Sequence, residues 1–332
     1  MESEKINNLI KEIQDLRKSK LLIYFTGDRR KFETKIGMDV IPIINQHLSS
    51  MGEIEKLDLF LYSTGGITMA GFGLVNLFRE YCNDFNVIVP FKAYSCATLI
   101  CLGANEIIMT KLGQLSPIDP SLPHPLAPTL PTNPAQNIPI SVEDVSAYIS
   151  LAKESGLKSE QSLEIVFDQL SKTVHPLALG AVHRTTKQNE FLANYLLSYH
   201  MDDLEQKKHI INTITKERFS HHYLIGRNEA KNILKLNIIE PNKDLETLIT
   251  ELFKEYSNML SLDEIFSEES FLGNDNEKSD VFNRAVIQSE KLCHVFQTES
   301  TFKRHQFQIP QMGIPQTGYT QTIIRQGWEK IE

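Results

Sequence analysis

One serine and one pair of glycines have the types and positions that covalent catalysis needs. Ser95 follows the apolar run "NVIVPF" and opens the stretch "SCATLICLGA", where a strand gives way to a helix. Gly65 and Gly66 follow a second apolar run, "LDLFLYST". A helix that begins at Ser95 leaves the Cys96 N–H without an intrahelical acceptor, and Gly66 offers a second unobstructed N–H. Two such donors beside a hydroxyl fit a serine nucleophile with its oxyanion hole.

The same residues also have a structural explanation. Serine is a favoured helix N-cap, and a Gly-Gly pair often marks a tight turn between a strand and a helix. Taken singly, each feature is explained by local structure alone. Together, at the ends of two successive strands, they favour a site, because sites of α/β proteins form at the carboxyl ends of parallel strands.

The elements that would position these residues alternate along the chain. After an amphipathic helix over residues 3–19, apolar runs predict strands at residues 21–27, 57–64, 86–91 and 106–111, with helical periodicity between them. The strands are apolar on both faces, which is typical of a parallel sheet covered by helices. The sequence therefore predicts an α/β fold with a mainly parallel sheet and surrounding helices.

The second half of the chain is less regular. Residues 117–140 form a proline-rich loop: the stretch 115–140 holds eight of the fourteen prolines, which excludes a helix or an inner strand. Two long helical stretches are expected at 142–170 and 175–218. We predict a main domain over residues 1–244, and a small C-terminal appendage of unknown role, with two or three strands, over 245–332.

Composition narrows the function further. The chain has 332 residues and a net charge of −8, which argues against a nucleic-acid partner. Its four cysteines show no CxxC pair, so reduced thiols and a cytoplasmic location are expected. The N-terminus does not resemble a signal peptide, and no run reaches the roughly 18 apolar residues of a membrane span. No HExxH, GxGxxG or P-loop motif occurs, so neither a metal nor another cofactor is expected.

Longer motifs carry a family resemblance. The stretches "LYSTGGITMAGFGL" and "VPFKAYSCATLICLGANEIIMTKLGQLSPIDPSL" resemble the Clp-type serine peptidases, above all the serine dehydrogenase proteinases, which are related to signal peptide peptidase A. "HPLALGAVHRTTKQNEFLANYLL" and "HHYLIGRNEAKNILKLNIIEP" are similar to the same branch, so the resemblance covers about residues 20–241. It implies a Clp/crotonase-type fold, serine endopeptidase activity on polypeptides and assembly as a homo-oligomer.

The sequence departs from the family pattern at two turns. Thr64 stands where the family has proline before Gly-Gly, and Cys96-Ala97 stand where it has two glycines after the serine. The larger side chains at 96 and 97 are expected to narrow the space beside Ser95. The Cys96 N–H remains, so the oxyanion donor is retained.

The resemblance also implies a catalytic triad in the chain order Ser, Asp, His. On that basis Ser95 is the nucleophile, Asp119 orients the imidazole and His221 is the general base. His222 is the close competitor for the base, because it occupies the classical acid's position relative to "NEA". Gly66 and Cys96 supply the oxyanion hole.

Several alternatives stay open. Lys187 is the best candidate for a Ser–Lys dyad, and His124 lies close to Asp119 in sequence. His175 and His183 are expected to be packing residues in helices. A crotonase-like acyl-CoA enzyme would share the fold without a serine nucleophile. A catalytically impaired Clp-fold subunit would explain the altered turn at Cys96.

Overall fold

The computed structural model describes residues 2–118, 121–122, 126, 129–130, 133–137, 140–217, 223–308 and 315–331. The chain divides into two compact units: the first comprises Met1–Gln114 with Asn237–Glu332, and the second comprises Leu115–Leu236.

The described residues form helices and strands whose bounds are as follows. The helices are α1 (Glu2–Arg17), α2 (Val40–Ser50), α3 (Thr68–Tyr81), α4 (Cys96–Leu102), α5 (Val142–Glu154), α6 (Glu160–Thr173), α7 (Pro176–Leu197), α8 (Leu204–Asn212), α9 (Arg227–Asn232), α10 (Lys243–Met259) and α11 (Glu268–Leu272). The strands are β1 (Lys20–Thr26), β2 (Lys56–Tyr62), β3 (Asp84–Val89), β4 (Lys92–Ala93), β5 (Ile107–Met109), β6 (Gln114–Leu115), β7 (Ser121–Leu122), β8 (Thr129–Leu130), β9 (Asn133–Asn137), β10 (Ile140–Ser141), β11 (Ile225–Gly226), β12 (Ile238–Ile239), β13 (Glu277–Gln288), β14 (Cys293–Gln308) and β15 (Pro315–Ile331).

An eight-stranded sheet organises the first unit, in the order β12-β5-β3-β2-β1-β13-β14-β15. The strands from β12 to β1 run parallel to one another, and β13, β14 and β15 follow in antiparallel pairs. In β1 and β2 every residue after the first is buried, as expected for strands covered on both faces. The predicted α/β fold with a mainly parallel sheet is confirmed.

One face of this sheet is covered by the first helix and by a late one. The contacting side chains form a single apolar cluster, in which Ile10 and Ile13 of α1 and Ile249 and Leu252 of α10 are fully buried. Helix α10 was not predicted, since its polar residues outnumber the apolar ones that line its buried face. Burial of each such Leu or Ile side chain stabilises the fold by about 1.5–3 kcal/mol.

The strands predicted near the C-terminus are present, and they extend the central sheet. Strand β13 pairs with β1 in the register Ile23↔Gln288 to Thr26↔Ala285. This pairing joins segments far apart in sequence, so no local sequence pattern predicts it. The division at residue 244 into a main domain and an appendage stays a prediction.

The second unit contains α5 to α9 and short strand pairs. The single helical stretch predicted over 142–170 is two helices. Gly156, at φ +94°, ends the first because such a conformation is left-handed and favours glycine. Ser159 then caps α6 by accepting from the Ser162 N–H at 3.1 Å. Strands β7 with β10 and β8 with β9 lie in the proline-rich segment, and of its other residues the structure describes 117, 118 and 126.

Within the part of the chain that the structure describes, no helix combines the length and apolar character that crossing a membrane requires.

Candidate active site

The backbone turn at Ser95 is the centre of the candidate site. Ser95 has φ 53° and ψ −113°, and α4 begins at the next residue. Its side chain makes no capping hydrogen bond to the helix, so an N-cap role does not account for this serine. A non-glycine residue in such a sparsely populated conformation costs about 1–3 kcal/mol and persists where the surrounding structure enforces it. The same type of strained strand-to-helix turn exposes the nucleophile in α/β-hydrolases.

Backbone pairing fixes this turn to the end of the neighbouring strand. Ser63 and Ala93 form a parallel bridge. The Ser63 N–H donates to the Lys92 carbonyl at 2.9 Å, and the Tyr94 N–H donates to the Ser63 carbonyl at 3.0 Å. The Gly-Gly turn and the serine turn are therefore adjacent, as the sequence predicts for two loops at one edge of a parallel sheet.

At Gly65 and at Gly66, a neighbouring residue lies too close for any side chain larger than that of glycine. A Cβ at Gly65 would lie 2.9 Å from Ser95 Cβ and 3.3 Å from Ser95 Oγ. A Cβ at Gly66 would collide with the backbone of Ile36. Gly65 thus lets the turn pack directly against the serine, and Gly66 lets it pack against the loop that precedes α2.

The amide groups of this turn are arranged in a way that suits an oxyanion hole. The Ile36 N–H donates to Gly65 O at 2.9 Å, and the Ile67 N–H donates to Ile36 O at 2.8 Å. The Gly66 N–H takes no part in this pairing. At the start of α4 the Ala97 N–H donates to Tyr94 O and the Leu99 N–H donates to Ser95 O, whereas the Cys96 N–H makes no such bond. Among the described residues, neither the Gly66 nor the Cys96 N–H has a protein acceptor. The Gly66 and Cys96 N–H groups thus stay the predicted oxyanion donors, with no acceptor in the described chain that would occupy them.

Cys96, which was expected to narrow the space beside Ser95, directs its side chain toward helix α3. Its thiol is buried in the contact between α3 and α4, where Sγ donates to Ile67 O at 3.2 Å. A Cβ at Gly71 would lie 2.6 Å from this sulfur. Burial raises the pKa of Cys96 to about 12, which keeps the thiol protonated and unreactive at neutral pH.

Two hydroxyl groups that the sequence reasoning missed support the Gly-Gly turn. Ser63 Oγ accepts the Gly65 N–H at 3.0 Å, and Thr26 Oγ1 donates to Ser63 Oγ at 2.8 Å. Both residues are fully buried. The available signal was a hydroxyl two residues before Gly-Gly, but its link to Thr26 joins two strands and cannot be seen in sequence.

A charged cluster lies at the ends of β1 and β2, just before the serine turn. Lys92 Nζ contacts Asp28 Oδ2 at 2.7 Å, and the Tyr62 hydroxyl donates to Asp28 Oδ1 at 2.9 Å. Burial and the nearby Asp28 carboxylate raise the pKa of Tyr62. These contacts tie strand β4, which leads into Ser95, to the end of β1.

The predicted acid and base belong to the segments around residues 119 and 221. Asp119, His221 and His222 lie outside the described residues, as does His124. The residue before Asp119 is well held within the second unit: the Ile118 N–H donates to Ile214 O at 3.0 Å, and Ile118 O accepts from Asn189 of α7. The triad assignment therefore stays a prediction.

The alternative candidates on α7 have other roles. Lys187 Nζ pairs with Glu190 at 2.9 Å and its side chain is 57% exposed, so it belongs to an exposed ion pair. His175 was expected to pack in a helix, but it caps α7 by accepting the Leu177 N–H at 3.2 Å. His183 is exposed rather than packed.

Comparison with known proteins agrees with the geometry. The model of the ClpP-like SDH-type serine proteinase family matches residues 43–176, a range that includes the Gly-Gly turn and Ser95. An uncharacterised protein of Methanocaldococcus jannaschii is 28% identical over 179 residues, which are 54% of this chain and 52% of that protein. A second uncharacterised protein of the same organism is 26% identical over 197 residues, 59% of this chain and 57% of that protein.

The chain thus spans about half the length of the curated relatives it matches. The family that the sequence motifs indicate is the one whose model its residues 43–176 match: the ClpP-like SDH-type serine proteinases.

Proposed function

We propose that the protein is a serine endopeptidase with Ser95 as its nucleophile. The observation that carries the proposal is the strained turn at Ser95, with φ 53° and ψ −113° and no capping hydrogen bond from its side chain. In this proposal the N–H groups of Gly66 and Cys96 are the oxyanion donors that accompany the serine. An ordinary helix start explains neither the strain nor the adjacent glycine contact.

The proposed reaction is acyl transfer through a tetrahedral intermediate. Ser95 Oγ attacks the substrate's peptide carbonyl carbon while His221 takes the hydroxyl proton. The negative oxygen is held by the N–H groups of Gly66 and Cys96. His221 then gives the proton to the departing amine, and water hydrolyses the acyl-enzyme by the same route in reverse. Asp119 orients the imidazole, and His222 is the second candidate for the base.

The substrate proposed here is a polypeptide in an extended conformation, which would add a strand beside residues 63–67. We also propose that the enzyme is a cytoplasmic homo-oligomer without a cofactor. Support for the location comes from the four cysteines, Cys82, Cys96, Cys101 and Cys293, all of which are free thiols.

Hydrolysis of a mixed peptide library by variant chains tests this proposal. Ser95→Ala and His221→Ala are expected to lose at least about 1,000-fold in rate, as removal of triad members does elsewhere. Cys96→Ser is the matched control, since it changes the neighbouring side chain and keeps its N–H, and it should retain most of the activity. If His222→Ala alone abolishes hydrolysis, the base is His222.

Two outcomes would contradict the proposal. Equal hydrolysis by the unmodified chain and Ser95→Ala would favour a catalytically impaired subunit. Turnover of an acyl-CoA thioester that survives Ser95→Ala would favour the crotonase-like alternative.

A further inference from the structure

The eight-stranded sheet ends in a long edge strand. Strand β15 spans 17 residues and pairs with β14 from Pro315↔Gln308 to Ile331↔Cys293. Among the described residues it is the outermost strand of the sheet, so its second edge carries unpaired backbone groups. Long edge strands are templates for pairing with another chain, and proteins commonly shorten, charge or twist them to prevent it.

The C-terminal half of β15 is held firmly against the first unit. The Trp328 indole N–H donates to Asp39 Oδ2 at 2.8 Å, and its ring packs edge-on against Phe296 with centroids 5.4 Å apart. A register shift places a bulge at Ile324, between the pairs Ser300↔Ile323 and Glu299↔Arg325. The residues after the bulge therefore form a regular, anchored strand whose edge is ready to pair.

Gly327 lies in the middle of this anchored segment, and nothing within the described chain requires glycine at this position. Its φ is not among the positive values, so the backbone does not require glycine. Among the described residues nothing lies within 4 Å of the position that its Cβ would occupy. Glycine weakens a strand interior, and it often marks a place where another backbone approaches closely.

The charges on either side of Gly327 are self-complementary. Arg325 lies two residues before it and Glu329 two residues after, and their side chains are 57% and 42% exposed. In an antiparallel pair of two β15 strands centred on Gly327, Arg325 of each copy lies opposite Glu329 of the other. Ile331, at the end of this segment, is 38% exposed. Opposite charges directly across a strand pair stabilise it, and the pairing would cover this apolar side chain.

We propose that β15 is the interface through which two copies of this chain associate, antiparallel, about a twofold axis at Gly327. The pairing joins the two sheets edge to edge and gives an isologous contact, the commonest kind in homodimers. Within one chain, Arg325 pairs with Glu329 at 2.9 Å and lies 3.8 Å from Glu299. On dimer formation each Arg325 gains a second Glu329 partner across the axis.

Charge reversal tests both the interface and its register. The mass of the full chain is measured by light scattering over a dilution series. The unmodified chain should reach the mass of a dimer or a multiple of it. Arg325→Glu and Glu329→Arg each place like charges across the axis, so each should raise the dissociation constant about tenfold or more. Mixing the two variants pairs the acidic strand with the basic one and should restore association.

Lys330→Glu is the matched control. It changes the charge as much as Arg325→Glu does on the same strand, but position 330 lies across from the bulge at Ile324, where there is no charged side chain. It should leave the dissociation constant within about twofold of the unmodified value.

Three results would overturn the proposal: a monomeric unmodified chain, single variants that associate as the unmodified chain does, or a mixture that stays dissociated. The readout is mass alone, so a failure here is distinct from a failure of the proposed peptidase activity.

Discussion

A single backbone conformation links this sequence to its proposed chemistry. Ser95 adopts a strained backbone conformation that a helix cap does not require. The absence of a Cβ at Gly65 lets the serine approach the Gly-Gly turn closely. The sequence alone could place Ser95 between a strand and a helix. It could not show the positive φ, because the turn is held by contacts between segments distant in sequence, such as the bridge between Ser63 and Ala93.

Ser63 should matter for reactivity although it does not touch substrate. Its Oγ accepts the Gly65 N–H at 3.0 Å, and this bond holds the turn that carries the Gly66 N–H. Ser63→Ala leaves that buried N–H unsatisfied, so we expect a loss of about 1–3 kcal/mol in the free energy of unfolding. Acylation of Ser95 should also slow at least about tenfold, as measured by the rate of labelling with a fluorophosphonate.

Thr26→Val provides the control for this prediction. It removes the donor to Ser63 Oγ but keeps the acceptor for Gly65, so labelling should slow much less than in Ser63→Ala. Equal labelling rates in Ser63→Ala and the unmodified chain would show that the Gly-Gly turn does not depend on Ser63.

Helices α3 and α4 meet at a contact that sets the position of the Cys96 N–H. A Cβ at Gly71 would lie 2.6 Å from Cys96 Sγ and 3.2 Å from Cys96 O. Gly71→Ala should therefore destabilise the fold by about 1–3 kcal/mol through overpacking, despite the better helix propensity of alanine. Adding Cys96→Ala removes the nearest atom, so the double variant should lose less than the sum of the single losses. Chemical denaturation measures all three.

Gly73→Ala is the matched control in the same helix. Its Cβ would meet only the flexible tip of Ile41, at 3.2 Å, so this change should be neutral or stabilising. Additive losses for the pair at 71 and 96 would contradict the proposed packing between the two helices.

A buried histidine pair joins α2 to β14 and should make stability depend on pH. His47 Nε2 lies 2.9 Å from His294 Nδ1, and His47 Nδ1 lies 2.8 Å from Ser289 Oγ. Burial, and then the neighbouring His294, lowers the pKa of His47 from 6.5 to about 3. Burial and the nearby Lys330 lower the pKa of His294 as well.

The direction of these pKa shifts determines whether stability rises or falls with pH. Unfolded His47 binds a proton below pH 6.5 and folded His47 does not until about pH 3, so stability falls as the pH drops through this window. From pH 7 to pH 5 the loss from His47 alone should be about 2 kcal/mol. Denaturation of His47→Gln should show a shallower pH dependence, and exposed His183→Gln should match the unmodified chain. An unchanged slope in His47→Gln would refute the assignment.

At the scale of the whole molecule, some elements can be predicted from local sequence patterns and others depend on long-range pairing. The strands and helices of residues 20–111 could be predicted because each strand is apolar on both faces and each helix has its own periodicity. The pairing of β13 with β1 could not, since it joins residues such as Ile23 and Gln288. The same limit applies to the candidate site. The serine and the glycines were visible as local patterns, whereas the support from Thr26 depends on the assembled sheet.

The most direct test of the account is whether Ser95 is an acylatable nucleophile. The full chain is treated with a fluorophosphonate at neutral pH, and the adduct is located by mass spectrometry of its peptides. The account predicts one phosphonyl group per chain, on Ser95, and none on Ser95→Ala. A chain that stays unlabelled, or one labelled equally after Ser95→Ala, would contradict it.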